Sequence, residues 1–315
     1  MIIYIMVATL VLNSTNIVPD GYNNKLVYNF PNSVSFPNHE IAIQSINMYY
    51  SWENINGSSL NNNTFWFRFP TADGVYTQIA IVIPDGLYEI SSINSYLQWV
   101  CIGYGWYLTN SSGVNIYFAE FVINPSNYAV QLNTYPVLTL VSAQALSYII
   151  PTGYPNLTAS NNLPQVSMYN FNLGSSSATK FIDIVGYPAT FISPITTTNA
   201  TGNYSFVSPI APQVQPNPIL YLAVSNIENK YASPSSIIGT VTPSVAFGDL
   251  ITEVPPQFAY NKLLSGTYNG IRLSLLGSNG GQIPILDPNI TIVLVIRDKA
   301  DSGLKDAIEK ASGGK

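Results

Sequence analysis

A chain of 315 residues can bury one large core or two moderate ones without help from disulfides or metals. Only 9% of its residues are charged, against roughly 25% in an ordinary soluble protein, while apolar residues stand at 47%. Low charge with ample hydrophobicity excludes a disordered chain, a net charge of −5 excludes a basic nucleic-acid footprint, and the lone Cys101 excludes an intrachain disulfide framework and favours a reducing site of synthesis.

Met1 to Leu12 is apolar but has no basic n-region and no small-residue cleavage site, and it is too short to span a bilayer, so it reads as a buried strand. No other segment is long and apolar enough to cross a membrane. Leu26, Tyr28 and Phe30 alternate, as do Ile41 and Ile43, after which Gln44-Ser45 shifts the phase to Ile46 and Met48 and predicts a bulge. Phe65, Phe67 and Phe69 alternate with Trp66 and Arg68, and Ile79, Ile81 and Ile83 follow in the same period. The pattern then changes: Ile90, Ile93, Leu97 and Val100 recur at helical spacing, with Ser91 and Ser92 as candidate caps, and predict a helix of about three turns. Val114, Ile116 and Phe118 return to a period of two. Tyr135 to Pro218 is rich in Pro, Ser, Thr and Asn with weak periodicity, the composition of long loops or an insertion. Ile219 to Val224 and Ile290 to Ile296 are solid apolar runs, with Leu273 and Leu275 alternating between them. In the tail, Asp301 or Ser302 can cap a helix over Leu304 to Ala311 that Gly313-Gly314 ends. Many short strands between turn-forming clusters describe an all-β sandwich or barrel.

Chemistry has few candidates. His39 is the only histidine, which excludes a multi-histidine metal centre and leaves one partner for a Ser-His-Asp or Cys-His arrangement. It follows Pro37-Asn38 and reads as a loop histidine, while Cys101, between Trp99-Val100 and Ile102, reads as a small buried hydrophobe. A glycosidase needs two facing carboxylates, and the available pairs are Asp85 with Glu89 and Asp249 with Glu253. Each has a structural reading as well: Pro84-Asp85-Gly86 and Gly248-Asp249 are turn sequences, and Glu89 precedes the helix, where its charge suits the dipole. No P-loop, dinucleotide fingerprint, zinc cluster or nucleophile elbow is present. Sequons occur at Asn13, Asn56, Asn62, Asn110, Asn156, Asn199, Asn203 and Asn289, against about six expected by chance in so Asn- and Ser-rich a chain. No catalytic, cofactor-binding or metal-ligating residue is assigned, and the expectation is a non-enzyme.

The surface carries the signal instead. Neutral amides, hydroxyls and 22 tyrosines are cheaper to desolvate than Lys or Glu when another protein covers them. Between Cys101 and Ile227 the only charges are Glu120, Lys180 and Asp183, whereas Arg297 to Lys315 holds five of the eleven basic residues and four acids. The composition therefore points to a body that is covered by neighbours and a tail of a different kind. A rival reading is a receptor- or carbohydrate-binding β-sandwich, an attachment protein stacking sugars on Trp66 or Trp106; a second is a β-fold glycoside hydrolase.

Several strings bear a family resemblance. Glu40-Ile41-Ala42-Ile43-Gln44-Ser45-Ile46-Asn47-Met48-Tyr49-Tyr50-Ser51-Trp52, then Ile83-Pro84-Asp85-Gly86-Leu87-Tyr88-Glu89-Ile90 leading into Ile93-Asn94-Ser95-Tyr96-Leu97, resemble the penton or minor capsid proteins of virophages and Polinton-type elements, of the mavirus or Sputnik kind. Phe181-Ile182-Asp183-Ile184-Val185-Gly186-Tyr187, Phe247-Gly248-Asp249-Leu250-Ile251 with Pro255, and Leu286-Asp287-Pro288-Asn289-Ile290 onward to Arg297 follow in that family's order. The likeness covers most of Val7 to Arg297.

The resemblance implies a jelly-roll β-sandwich with an inserted or elaborated β region: jelly-roll strands in residues 1–103, an insertion over 104–218, further jelly-roll strands in 219–299 and a charged tail over 300–315. It also implies a structural capsid protein of an icosahedral virion, five copies closing each vertex as a homopentamer. Its neighbours would be trimers of the major capsid protein. Synthesis would be in the host cytoplasm, with no cofactor, no direct nucleic-acid contact and no membrane span. The charged tail would face the particle interior or a neighbouring capsomer.

Overall fold

In the computed structural model the described residues are 7–158, 167–169, 179–188, 192–193 and 203–299. The charged tail and its expected helix lie outside them, as do residues 1–6 of the first expected strand. The chain opens with β1 (Val7–Leu12), β2 (Lys25–Ser35) and β3 (His39–Tyr49). Then come β4 (Thr64–Ala72), β5 (Val75–Val82), α1 (Ile90–Tyr104), β6 (Leu108–Thr109), β7 (Asn115–Ile116), β8 (Ala119–Asn124), β9 (Ala129–Thr134), α2 (Leu140–Ala145), β10 (Ser167–Tyr169), α3 (Phe181–Val185), β11 (Ile192–Ser193) and β12 (Tyr204–Val207). The last group is β13 (Leu220–Val224), β14 (Ile227–Glu228), β15 (Ile237–Val241), β16 (Leu250–Glu253), β17 (Asn261–Leu263), β18 (Thr267–Leu276) and β19 (Thr291–Asp298).

These elements form two units, one of residues 1–52 with 217–315 and one of residues 53–216. The first unit is a jelly roll, and its strand order shows it. Counting β13 with β14 as the fourth strand and β16 with β17 as the sixth, one sheet runs first, eighth, third, sixth (β1-β19-β3-β16/β17) and the other fifth, fourth, seventh, second (β15-β13-β18-β2), all antiparallel. That nesting of hairpins is two Greek keys wrapped into a sandwich. The fourth strand changes sheet at Asn226, which takes φ +68°, so that β14 pairs with β17 of the first sheet.

Alternation decides which side chains fill the space between the sheets. Ile41, Ile46, Met48, Leu220, Leu222, Leu273, Leu275, Ile292 and Leu294 are all essentially inaccessible, each burial worth about 1.5–3 kcal/mol. The phase shift expected at Gln44-Ser45 is a real bulge: Val293 faces Ser45 but its neighbour Leu294 faces Ile43, leaving Gln44 extra. The sheets come close enough that a Cβ at Gly239 in β15 would sit 2.5 Å from the Ile43 side chain of β3. A larger residue there would require the Ile43 δ-methyl to move aside.

The second unit has its own core. One sheet has the order β11-β10-β4-β5, another β12-β9-β8, and β6 and β7 form a two-stranded ribbon. Phe65, Phe67 and Phe69 project from one face of β4; Phe65 stacks on Phe181 of α3 at 4.5 Å and Phe69 on Trp106 at 4.5 Å with rings 3° from parallel. Helix α1 buries Ile90, Ile93, Leu97 and Cys101, so Cys101 rather than Val100 completes the stripe. Neither Ser91 nor Ser92 caps it. The N-cap is Glu89, which makes no side-chain capping bond. Its C-terminus turns at Gly105 (φ +71°), where a Cβ would lie 2.3 Å from the Thr152 carbonyl oxygen.

The inserted unit therefore begins at Glu53, not near residue 104, and ends at Pro216, close to the expected 218. The reason is pairing: β4 bonds to β5 and β10, and α1 packs against β8, so residues 64–104 belong with the insertion and not with the sandwich.

Candidate functional site

Of the acids named as possible catalytic pairs, Asp85 and Glu253 have carboxylates that bond backbone N–H groups. Asp85 Oδ1 accepts the Gly57 N–H at 2.7 Å, while Glu89 is the N-cap of α1 and receives only a long bond of 3.5 Å from Ser91. Asp249 opens the turn into β16, its carbonyl accepting the Tyr50 N–H at 2.9 Å, and Glu253 Oε1 accepts the Thr242 N–H at 3.2 Å. His39 starts β3 in the sandwich, edge-on to Phe36 at 5.4 Å, whereas Cys101 lies in the core of the inserted unit. Burial pushes the Cys101 thiol up to about 12, which keeps it protonated near neutral pH. Among the described residues no group of three or more His, Cys, Asp or Glu could hold a metal ion, and no helix is long and apolar enough to cross a membrane.

Of the two tryptophans considered for sugar stacking, Trp106 is 3% exposed between Phe69 and Tyr104 and cannot offer a face to a ligand. Trp66 is half-buried in β4. The tryptophan that is open to solvent is Trp99, at 65%, a residue read from sequence only as a neighbour of Cys101. Its signal was its place in α1 two residues after Leu97, off the buried stripe.

What the described surface does offer is apolar. In the sandwich, Tyr49 and Leu250 are cross-strand partners on β3 and β16 and are both exposed, with Phe247 beside them against Tyr50. In the inserted unit the β8–β9 hairpin carries Ile123 and Tyr128, the latter 74% exposed and held at φ +47°. That unit also has a groove of about 470 Å³ between the end of β5 (Ala80, Ile81, Val82) and the outer face of α1 (Tyr96, Trp99, Ile102, Tyr104). The whole stretch 53–216 has eight charged residues. One of them, Glu120, accepts hydrogen bonds from Tyr135 Oη at 2.6 Å and Asn133 Nδ2 at 3.0 Å.

One polar network went unread in the sequence, although the run Glu53-Asn54-Ile55-Asn56 and the triplet Asn61-Asn62-Asn63 were its signal. Asn54, 1% exposed, donates to the carbonyls of Tyr88 and Val214 at 2.7 and 2.5 Å and accepts the Tyr88 N–H at 2.8 Å. Asn62 bridges the Asn56 N–H and the Asn54 carbonyl, and Asn56 donates to buried Glu53 at 2.7 Å. These bonds tie the first residues of the inserted unit to its last, closing its base.

No family model matches the chain, and no curated protein matches it. Among solved structures, the crystal structure of a selenomethionine-labelled mavirus penton protein aligns over 93% of this chain and 98% of that one, with 8% sequence identity and a TM-score of 0.42. A likeness of that degree carries no functional weight, and the jelly-roll assignment stands on the strand pairing of residues 7–52 and 217–298.

Proposed function

We propose that this chain is a structural capsid protein of an icosahedral virus, five copies of which close a vertex and meet trimers of the major capsid protein at their rim. The observation that carries the reading is the combination of a two-Greek-key sandwich with an almost uncharged inserted unit whose outside bears tryptophan, tyrosine and isoleucine. Capsid sandwiches pack side by side through their edges and end loops. A cyclic ring is closed by a heterologous contact, one patch of a subunit against a different patch of the next. Neutral amides, phenols and aliphatics make such a contact at low desolvation cost. The likeness of the strings around Glu40–Trp52 and Ile83–Leu97 to penton sequences favours the same reading.

On this reading the protein has no catalytic role, takes no cofactor, does not contact the genome directly, and resides in the virion after synthesis in the host cytoplasm. Imaging of purified particles decorated with antibody against the inserted unit tests it. Label confined to the fivefold vertices supports the proposal; particles without the protein, or with label spread over the facets, refute it.

A further inference from the structure

Strand β5 is an open sheet edge: it pairs with β4 on one side and, among the described residues, with no strand on the other. Natural edges are blunted by charge, Pro or a covering element, yet Val75-Tyr76-Thr77-Gln78-Ile79-Ala80-Ile81-Val82 has neither charge nor Pro. The Ile83 N–H donates to the Asn63 carbonyl at 2.8 Å, so alternation turns the backbone groups of Ile81 toward β4 and those of Ala80 and Val82 toward the open side. The Val82 carbonyl indeed takes the Tyr96 hydroxyl at 2.8 Å, which sets α1 alongside that edge. Edge and helix together form the apolar groove of about 470 Å³, floored by Ala80–Val82 and walled by Trp99 and Ile102. A strand edge beside a helix is the geometry that accepts an extended segment by β-augmentation.

The chain also has an apolar segment of high β propensity immediately before β1. Residues 1–6 are Met-Ile-Ile-Tyr-Ile-Met and directly precede β1. In β1 the register sets Val7 opposite Arg297, and β19 ends one residue later at Asp298, so the ladder offers a partner to Met6 at most. The five residues before it have high β propensity in sequence, and β19 extends no further to meet them. Six extended residues span roughly 20 Å, enough to lie along β5.

We propose that Ile2–Ile5 of one copy adds as a strand to the β5 edge of a neighbouring copy, with its side chains against Trp99 and Ile102. This rests on the ring-forming role proposed above and supplies the two unlike patches that a head-to-tail ring requires. The test uses the full-length protein, as a reassembled mixture of heavy- and light-isotope chains, with the photo-reactive residue p-benzoylphenylalanine in place of Tyr4. Cross-links between chains of different isotope, mapping to residues 80–82 or 96–104, are the expected result. Cross-links confined to one chain, or to other residues of a neighbour, overturn the proposal. Ile3→Asp and Trp99→Glu, the latter at a side chain 65% exposed, are expected each to weaken self-association by about tenfold or more. Rings of unchanged stability in both variants would refute the strand exchange while leaving the capsid role intact, whereas a wild-type chain that never associates would remove both.

Discussion

Replacing Asn54 by Ala removes the clasp at the base of the inserted unit. The side chain makes three hydrogen bonds, two donated to the Tyr88 and Val214 carbonyls and one accepted from the Tyr88 N–H, from a position 1% exposed. At about 1 kcal/mol net per bond, and with the half-buried Tyr88 N–H left without its acceptor, the loss is about 3–4 kcal/mol. For a unit of this size each kcal/mol lowers Tm by about 2–4 °C, so the fall should be roughly 6–16 °C. Differential scanning calorimetry reads it directly, and limited proteolysis should cut near residues 53–62 and 214–216 sooner in the variant. A fall of less than about 2 °C would mean that water replaces the amide at no cost, and that the network does not hold the two ends of the insertion together.

Other outcomes follow from the buried groups. Cys101 should resist alkylation in the native protein at pH 8 and react fully on unfolding in denaturant, since burial raises its thiol to about 12; mass spectrometry of the treated protein decides this. Burial raises the hydroxyls of Tyr154 and Tyr187, and burial with the Glu120 contact raises Tyr135 to about 12, from an ordinary 10. Their contribution to stability is therefore complete below pH 10 and is lost as pH climbs toward and beyond 12. Absorbance at the phenolate band should show these tyrosines ionising only as the fold is lost. Glu40→Gln removes the charge that Arg297 meets at 3.1 Å and Lys299 at 3.5 Å, and should cost about 1–2 kcal/mol in urea titrations, less at high salt because both cations are partly exposed.

Most of the strands were legible because alternation survives wherever one face is buried. Phe65, Phe67 and Phe69, and Leu273 and Leu275, lie where the period of two places them, and the broken phase at Gln44 gives the bulge. Helix α1 was legible for the corresponding reason at a period of 3.6. What alternation cannot reveal is sheet membership. The β4–β5 hairpin has the same pattern as the sandwich strands before it, and no Pro or Gly marks the crossing at Trp52-Glu53, so the boundary of the insertion was displaced by about fifty residues. The other junction, at Pro216-Asn217-Pro218, carries two prolines. The apolar surface was visible as composition, in the scarcity of charge, but not as location. The helical phase of α1 sets Trp99 off the buried stripe, but nothing in the sequence after Gly105 shows that Trp106 packs against Phe69.

The central claim is that this neutral surface exists to be covered by sister subunits. Native mass spectrometry of the purified full-length chain, across a dilution series, measures that most directly. The account predicts a closed ring of five as the largest discrete species, with monomer growing on dilution. A chain that remains monomeric and soluble at every concentration, including the highest attainable, would contradict it.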